Sequence, residues 1–339
     1  MQKQSLQNLI KAISFLLIAV LLFSLVSTVL ERKTYSGINN YMAKMNEFYQ
    51  LEEHTLDYVC LGSSHAYCTV NPMEIWKETG FRGFTPSTAE QPLICSYYYL
   101  KEVFKTQSPK VVFLEGWMGY VENHSESAFY NATDPLKLSF NKLQLIQAIA
   151  EPADQANYLF NVLKYHTRWK EMNRQQLSAA FSKPVDRCKG YIPLASKPGA
   201  GLSYVPDHQN VEPAILSEEN LQALNGILEL TQQHNAQLVL IFAPYSVEHP
   251  KASAAIKAQL QWAAEHNVLT FDYAADPSLA GIDYRTDYYD VQHLSFSGAN
   301  KVSRHMANYL SSTLTPSGGA EDPRWRADYE HYQTLTENL

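Results

Sequence analysis

The chain has 339 residues, of which 18% are charged and 45% hydrophobic, and this balance excludes an intrinsically disordered protein. Its 14 glycines and 16 prolines exclude collagen-like or linker-like sequence, and four cysteines are too few for a disulfide scaffold. The net charge of −7 argues against a nucleic-acid partner.

That charge is unevenly spread. Residues 1–33 carry Lys3, Lys11, Arg32 and Lys33 against Glu31, a net +3, which leaves −10 for the rest. From Ala12 to Leu30 no residue is charged, and a bilayer core needs about 20 such residues at 1.5 Å each. The run is long for a cleaved signal peptide and is followed by a poor cleavage site, Ser27-Thr28-Val29-Leu30-Glu31. It also lacks the polar face of a soluble helix. An uncleaved anchor over residues 1–33 is the expectation, with a cleaved signal and a buried helix as competing readings. The preceding lysines place the N-terminus in the cytoplasm and the bulk of the chain outside, as a single-pass protein of the cell membrane. Residues 34–54 follow as a stalk or helical linker.

A strand–helix rhythm then begins. Strands are expected at Leu56–Leu61, Phe81–Pro86, Lys110–Leu114, Ala236–Phe242 and Val268–Tyr273. Helices are expected at Met73–Thr79, Gln91–Thr106, Leu216–Asn235, Pro250–His266 and Ser297–Thr313. Uninterrupted apolar strands alternating with helices predict an α/β fold, a doubly wound five-stranded parallel sheet. The domain runs over residues 55–315. The stretch from about 118 to 215 breaks the rhythm and reads as a mostly helical insertion. Residues 316–339 form a polar C-terminal extension. Cys60, Cys68, Cys95 and Cys188 can pair in an oxidising compartment or stay as buried free thiols. The sequons at Asn123 and Asn131 matter only in a eukaryotic secretory pathway.

Two segments carry candidate chemistry. The first strand runs into Leu61-Gly62-Ser63-Ser64-His65, and in a doubly wound sheet sites form beyond the carboxyl ends of strands. A hydroxyl there sits at the mouth of the next helix, near its unsatisfied N–H groups, but a serine in that place also serves as a plain helix cap. The second segment is Asp287-Tyr288-Tyr289-Asp290-Val291-Gln292-His293 ahead of the last helix. An imidazole there can take a serine's proton while Asp290 fixes its tautomer. The competing reading is a turn-capping Asp290 and a surface His293. Asp283, Asp287 and Asp290 lack the spacing and glycine of a calcium loop, so no metal is expected. No cofactor-binding motif occurs.

Gly62-Ser63-Ser64 with Asp290-x-x-His293 resembles the SGNH/GDSL hydrolase superfamily, with a flavodoxin-like layering. The Gly-Ser-Ser-His segment, Ser87-Thr88-Ala89-Glu90-Gln91-Pro92 and Asp-x-x-His-Leu-Ser-x-x-Gly-Ala are similar to its membrane-anchored DltD-like and AlgX/AlgJ-like branch. The resemblance implies Ser64 as nucleophile, His293 as general base and Asp290 as its orienting acid. It implies a serine esterase or O-acyltransferase moving acetyl or D-alanyl groups on an envelope polysaccharide or teichoic-type polymer, beside a membrane-bound O-acyltransferase. A non-catalytic carbohydrate-binding or scaffold partner of such an enzyme is the alternative.

The chain departs from that pattern after the third strand. Leu114-Glu115-Gly116-Trp117 stands where a Gly-x-Asn-Asp block is expected. Ser87 or Gln91, with the Ser64 N–H, are the substitute oxyanion donors. His65 would line the pocket or act as a capping histidine, and Glu115 would hold a substrate hydroxyl or a structural hydrogen bond. Trp117, Tyr120, Tyr97, Tyr98 and Tyr99 would stack on sugars or pack the core. An anionic polymer would require a basic patch, for which the insertion offers Lys164, Arg168, Lys170 and Arg174.

Overall fold

The structure is a computed structural model that describes residues 2–34, 37, 40–318, 321–337 and 339, with side chains from residue 4 onward. Residues 35, 36, 38 and 39 of the expected stalk, and 319, 320 and 338 of the expected extension, lie outside the described residues.

The chain opens with α1 (Gln2–Leu30) and α2 (Tyr41–Phe48), then β1 (Tyr58–Leu61), α3 (Ser64–Thr69) and α4 (Pro72–Thr79). Next come β2 (Gly83–Phe84), α5 (Leu93–Val103) and β3 (Val111–Glu115). The insertion carries five short helices: α6 (Glu126–Thr133), α7 (Phe140–Ile149), α8 (Gln155–Leu159), α9 (Asn161–Tyr165) and α10 (Arg174–Ala179). The alternation resumes with α11 (Glu218–Gln233), β4 (Gln237–Phe242), α12 (Pro250–Glu265), β5 (Leu269–Asp272) and α13 (Phe296–Thr313). The chain then adds α14 (Pro323–Thr336).

The five strands form one all-parallel sheet in the order β2-β1-β3-β4-β5. Its pleat sends alternate residues to two cores. Val59, Leu61, Val112, Leu114, Leu238 and Leu240 meet α5, α11 and α12 on one face. Tyr58, Cys60, Val111, Phe113, Val239 and Ile241 meet α3 and α13 on the other. The period of two in the strand sequences therefore produces helices on both faces. The chain leaves β1 for β2 on one side and returns to β3 on the other. The crevice between the carboxyl ends of β1 and β3 is thus the switch point, where such sheets place ligands.

Helix boundaries follow their caps. Asn71 accepts from the N–H groups of Met73 and Glu74 to start α4, and Gly80 ends it in the left-handed region at φ 78°. Ser217 accepts from Asn220 N–H to start α11. Helix α1 is long and apolar enough to span a membrane, with mean hydropathy 2.7 over its most apolar stretch, only 6% of which is buried.

Three elements outside the expected α/β rhythm are bound into its core. Helix α2, in the segment read as a stalk, buries Tyr41, Met45 and Phe48. Helix α14, in the segment read as a polar extension, buries Trp325 and Tyr332. The Tyr332 hydroxyl accepts from Asn71 Nδ2 at 2.7 Å. The insertion returns to the core at Cys188–Leu194. The buried Lys189 ammonium there pairs with Glu47 of α2 and Asp328 of α14. Composition hid this arrangement, because its three charges look like surface residues in sequence. The four cysteines are buried free thiols.

Breaking a buried ion pair leaves uncompensated charge, at a cost of about 3–5 kcal/mol. Lys189→Met is expected to lower the stability of the detergent-solubilised chain by that order, read from the midpoint of chemical denaturation. An unchanged midpoint would mean that the charge cluster does not hold the three segments together.

Candidate active site

The carboxyl end of β1 is shaped by Gly62. Its φ of +145° is one L side chains rarely adopt, and a Cβ there would lie 2.7 Å from Glu115 Cβ. Glycine therefore lets the β1–α3 turn press against the end of β3. The next two serines divide the two roles that the sequence leaves open. Ser63 is the N-cap of α3, its Oγ accepting from His65 N–H at 3.3 Å. Ser64, the first residue of the helix, is half-buried and faces His293.

Ser64 Oγ lies 2.9 Å from His293 Nε2. On the other side of the ring, His293 Nδ1 is 3.0 Å from both carboxylate oxygens of Asp290. Nδ1–H donates to Asp290, which leaves Nε2 to accept the serine proton. Burial acts to raise the Asp290 pKa. The N–H groups of Gln292 and His293 and the imidazole itself outweigh it, so the carboxyl is held below its usual range and stays ionised.

The loop bearing these residues is fixed from within. Asp287 is fully buried and accepts from Lys301 Nζ at 2.6 Å, Ser297 Oγ at 2.8 Å and Asp283 N–H at 2.7 Å. A single antiparallel bridge joins Tyr288 to Leu294, and Ser246 N–H donates to Val291 O at 2.8 Å. Asp287, weighed in the sequence as one arm of a metal loop, instead anchors α13 to this loop.

Ser64 and His293 open on a cavity of about 340 Å³. His65 and Trp117 form its rear wall, stacked with centroids 4.2 Å apart and planes 12° from parallel. His65 is buried, and that burial, aided by His293 and His249, keeps its ring neutral, far below the ordinary histidine pKa. Tyr120 joins the wall, edge-on to Trp117 at 5.4 Å. Glu115 lies behind the wall. It accepts from Trp117 N–H at 3.0 Å and from Ser63 Oγ at 3.4 Å. Burial pushes its pKa up to about 8, against the N–H groups of Trp117 and Ala243.

Other expected residues lie elsewhere. Ser87 donates to Cys60 O, and Gln91 is spent on Thr88 and Ser96, all of them buried. Neither lines the cavity, so the expected substitute donors are not assembled there. Tyr99 is buried with its hydroxyl donating to Ala132 O, while Tyr97 and Tyr98, also on α5, are partly buried against the core. The basic patch is also not assembled as expected. Lys164 is paired with Asp134 in a nearly buried contact, and Arg168 is spent on the end of α1.

The insertion supplies cavity residues that sequence reasoning missed as site residues: Asn123, His124, Ser125 and Ala128, with Glu90 and Gln292 from other loops. Both ring nitrogens of His124 are buried without a hydrogen-bond partner among the described residues. Burial lowers its pKa to about 4, so the ring is neutral. Asn123 and His124 stand out in the sequence only as part of a sequon. Compared with protein-family models and with curated protein sequences, the chain matches none.

A carboxyl whose pKa is raised on folding stabilises the fold while it is protonated. That contribution is lost as pH rises from the ordinary carboxyl range of 4.5 towards about 8. Glu115→Gln is expected to leave stability nearly unchanged at about pH 4 and to raise it relative to the parent as pH rises above that, most at about pH 8.5. Denaturation midpoints at the two pH values measure this. Parallel pH profiles for the two proteins would show that Glu115 is ionised in the fold.

Proposed function

We propose that the protein is a membrane-anchored, extracytoplasmic serine esterase or O-acyltransferase of SGNH type. The observation that carries this reading is the continuous hydrogen-bonded row Ser64–His293–Asp290 at the switch point of a parallel sheet. A scaffold with no chemistry has no need to hold a serine hydroxyl 2.9 Å from an imidazole that is itself fixed by a carboxylate.

In the proposed reaction Ser64 Oγ attacks the acyl carbonyl of a donor ester while its proton passes to His293 Nε2. The tetrahedral adduct collapses, the alcohol leaves with that proton, and an acyl-serine remains. His293 then takes a proton from water or a sugar hydroxyl, which attacks the acyl-serine, and the proton returns to Ser64. Asp290 stays ionised throughout and stabilises the imidazolium. The Ser64 N–H, in the first turn of α3, is one oxyanion donor. The side-chain amides of Asn123 and Gln292, in the same cavity, are available as a second.

Supporting the envelope setting are the apolar helix α1, with its flanking charges, and the resemblance of the two motifs to the anchored branch of the superfamily. On that reading the acceptor is a cell-envelope polysaccharide or teichoic-type polymer, and a membrane-bound O-acyltransferase supplies the acyl group. Tyr120, half-buried at the cavity, provides an aromatic face for a sugar ring.

Ser64→Ala and His293→Ala are each expected to reduce ester turnover or polymer acylation by at least about 10³-fold, and Asp290→Asn by about 10²–10⁴-fold. A fluorophosphonate probe is expected to label the parent once, at Ser64, and to leave Ser64→Ala unlabelled. Full acylation in cells by both alanine variants would remove the reading.

A further inference from the structure

Helix α1 does not stand clear of the rest of the chain. Its C-terminal third packs against α9 and the 3₁₀ segment His166–Glu171. The Phe23 and Phe160 rings meet edge to face with centroids 5.4 Å apart. Phe23 lies seven residues before the end of α1, so at 1.5 Å per residue it sits about 10 Å inside the apolar end of the helix. Phe160 is held at the same depth.

Around this contact runs a groove of about 760 Å³, lined chiefly by Leu16, Val20, Phe23, Leu138, Leu159 and Phe160. Its neighbourhood is left open. Leu138 is 77% exposed, Leu163 46% and Phe160 42%. Toward the C-terminal end of α1 the surface becomes polar. Arg168 donates to the carbonyls of Leu30 and Glu31, which a helix end leaves unsatisfied. Asn161 donates to Glu31 Oε1 at 3.0 Å, and Lys33 pairs with Glu31. Trp169 is 66% exposed beside Lys170. An apolar zone is followed along the helix axis by a polar collar at Leu30 and Glu31, and the exposed Trp169 and Lys170 neighbour the Arg168 that closes it, an order that matches a bilayer boundary.

We propose that this shoulder of the insertion is a second membrane contact, with Leu138, Phe160 and Leu163 seated among the acyl chains of the leaflet that α1 leaves. The proposal rests on the reading of α1 as a membrane anchor. The occupant is lipid because the groove is continuous with the bare flank of α1, and whatever covers that flank also reaches Phe160. In water the groove and the exposed leucines would add a large apolar patch to the uncovered helix. The same insertion gives His124 and Ala128 to the cavity wall, so seating it in lipid sets the cavity at a fixed height above the membrane.

The test uses the full chain in phosphatidylcholine nanodiscs. Single cysteines are placed by Leu138→Cys, Leu163→Cys, Leu21→Cys and Ile215→Cys and labelled with a polarity-sensitive fluorophore. The four native thiols are buried, and the parent chain measures their background. Lipids with spin labels on their acyl chains are expected to quench most of the fluorescence at Leu138→Cys and Leu163→Cys. Quenching should match that at Leu21→Cys within α1, with none at Ile215→Cys, on a surface that is 94% exposed. Quenching at Leu21→Cys without quenching at the two shoulder positions would overturn the proposal and leave the anchor intact. Absence of quenching at Leu21→Cys would remove the anchor reading and the shoulder with it.

Discussion

The close approach of Gly62 to the end of β3 sets the geometry of everything above the sheet. With any side chain at residue 62, Glu115 Cβ would be met at 2.7 Å, and the turn would have to lift away from β3. Lifting it would move the start of α3, and with it Ser64. It would also separate Ser63 from Glu115, whose other oxygen holds the Trp117 N–H and so the rear wall of the cavity. One missing methyl group thus places a hydroxyl, a helix terminus and an aromatic wall together. This is the tight positioning that a nucleophile and its base require, since neither tolerates much displacement.

His293 reaches that hydroxyl from the far end of the chain because its loop is built around Asp287. The buried carboxylate gathers Lys301, Ser297 and the Asp283 backbone, and Gly298 passes so close that a Cβ would lie 2.4 Å from Asp287 O. The glycine in Asp-x-x-His-Leu-Ser-x-x-Gly is therefore a packing requirement of the loop. The half-buried Asp290 and the fully buried Asp287 do different work. One orients the imidazole, and the other holds the loop that carries both.

All five strands were legible in the sequence to within a few residues, because each is a short apolar run closed by turn residues. The same holds for α4, α5, α11, α12 and α13, whose caps and periodicity are local properties. Ser64, Asp290 and His293 lie at strand and helix ends that the sequence marks, but the residues alone left plain caps and a surface histidine open, and it was the resemblance of the two motifs that joined them. Helix α14 and the core position of α2 were not, because polar, charge-rich sequences such as Pro323–Thr336 carry no local sign that two aromatic rings will be buried. The Asn123–Ala128 wall was illegible for a different cause. It reaches the cavity through the tertiary path of a long insertion, and its spacing from β3 encodes nothing about where it lands. Ser87 and Gln91 failed as donors because similarity of order placed them near Ser64, while Ser87 donates to Cys60 O of β1 and Gln91 is bound to Thr88 and Ser96.

The two walls of the cavity differ in how they are held, and the difference bears on substrate choice. On the sheet side a chain of contacts runs without a break across the carboxyl edge. Asp272 at the end of β5 meets His208 at 2.7 Å, and His208 meets the Tyr245 hydroxyl at 3.0 Å. Tyr245 packs on Trp117 at 4.8 Å, and Trp117 stacks on His65, which touches His293 at 5.3 Å. Each member is fixed by the next, so the Ser64 side of the cavity is held rigid before any ligand arrives. Among the described residues, the opposing wall, from the insertion, has only the shorter link of Ser125 Oγ donating to Glu90 at 3.2 Å. Asn123 is exposed, and the His124 ring nitrogens have no hydrogen-bond partner among the described residues. Unsatisfied polar groups in a cavity discriminate strongly between ligands that meet them and ligands that do not. On the proposed reading, the acid–base row would set what bond is broken, and the insertion whose bond it is.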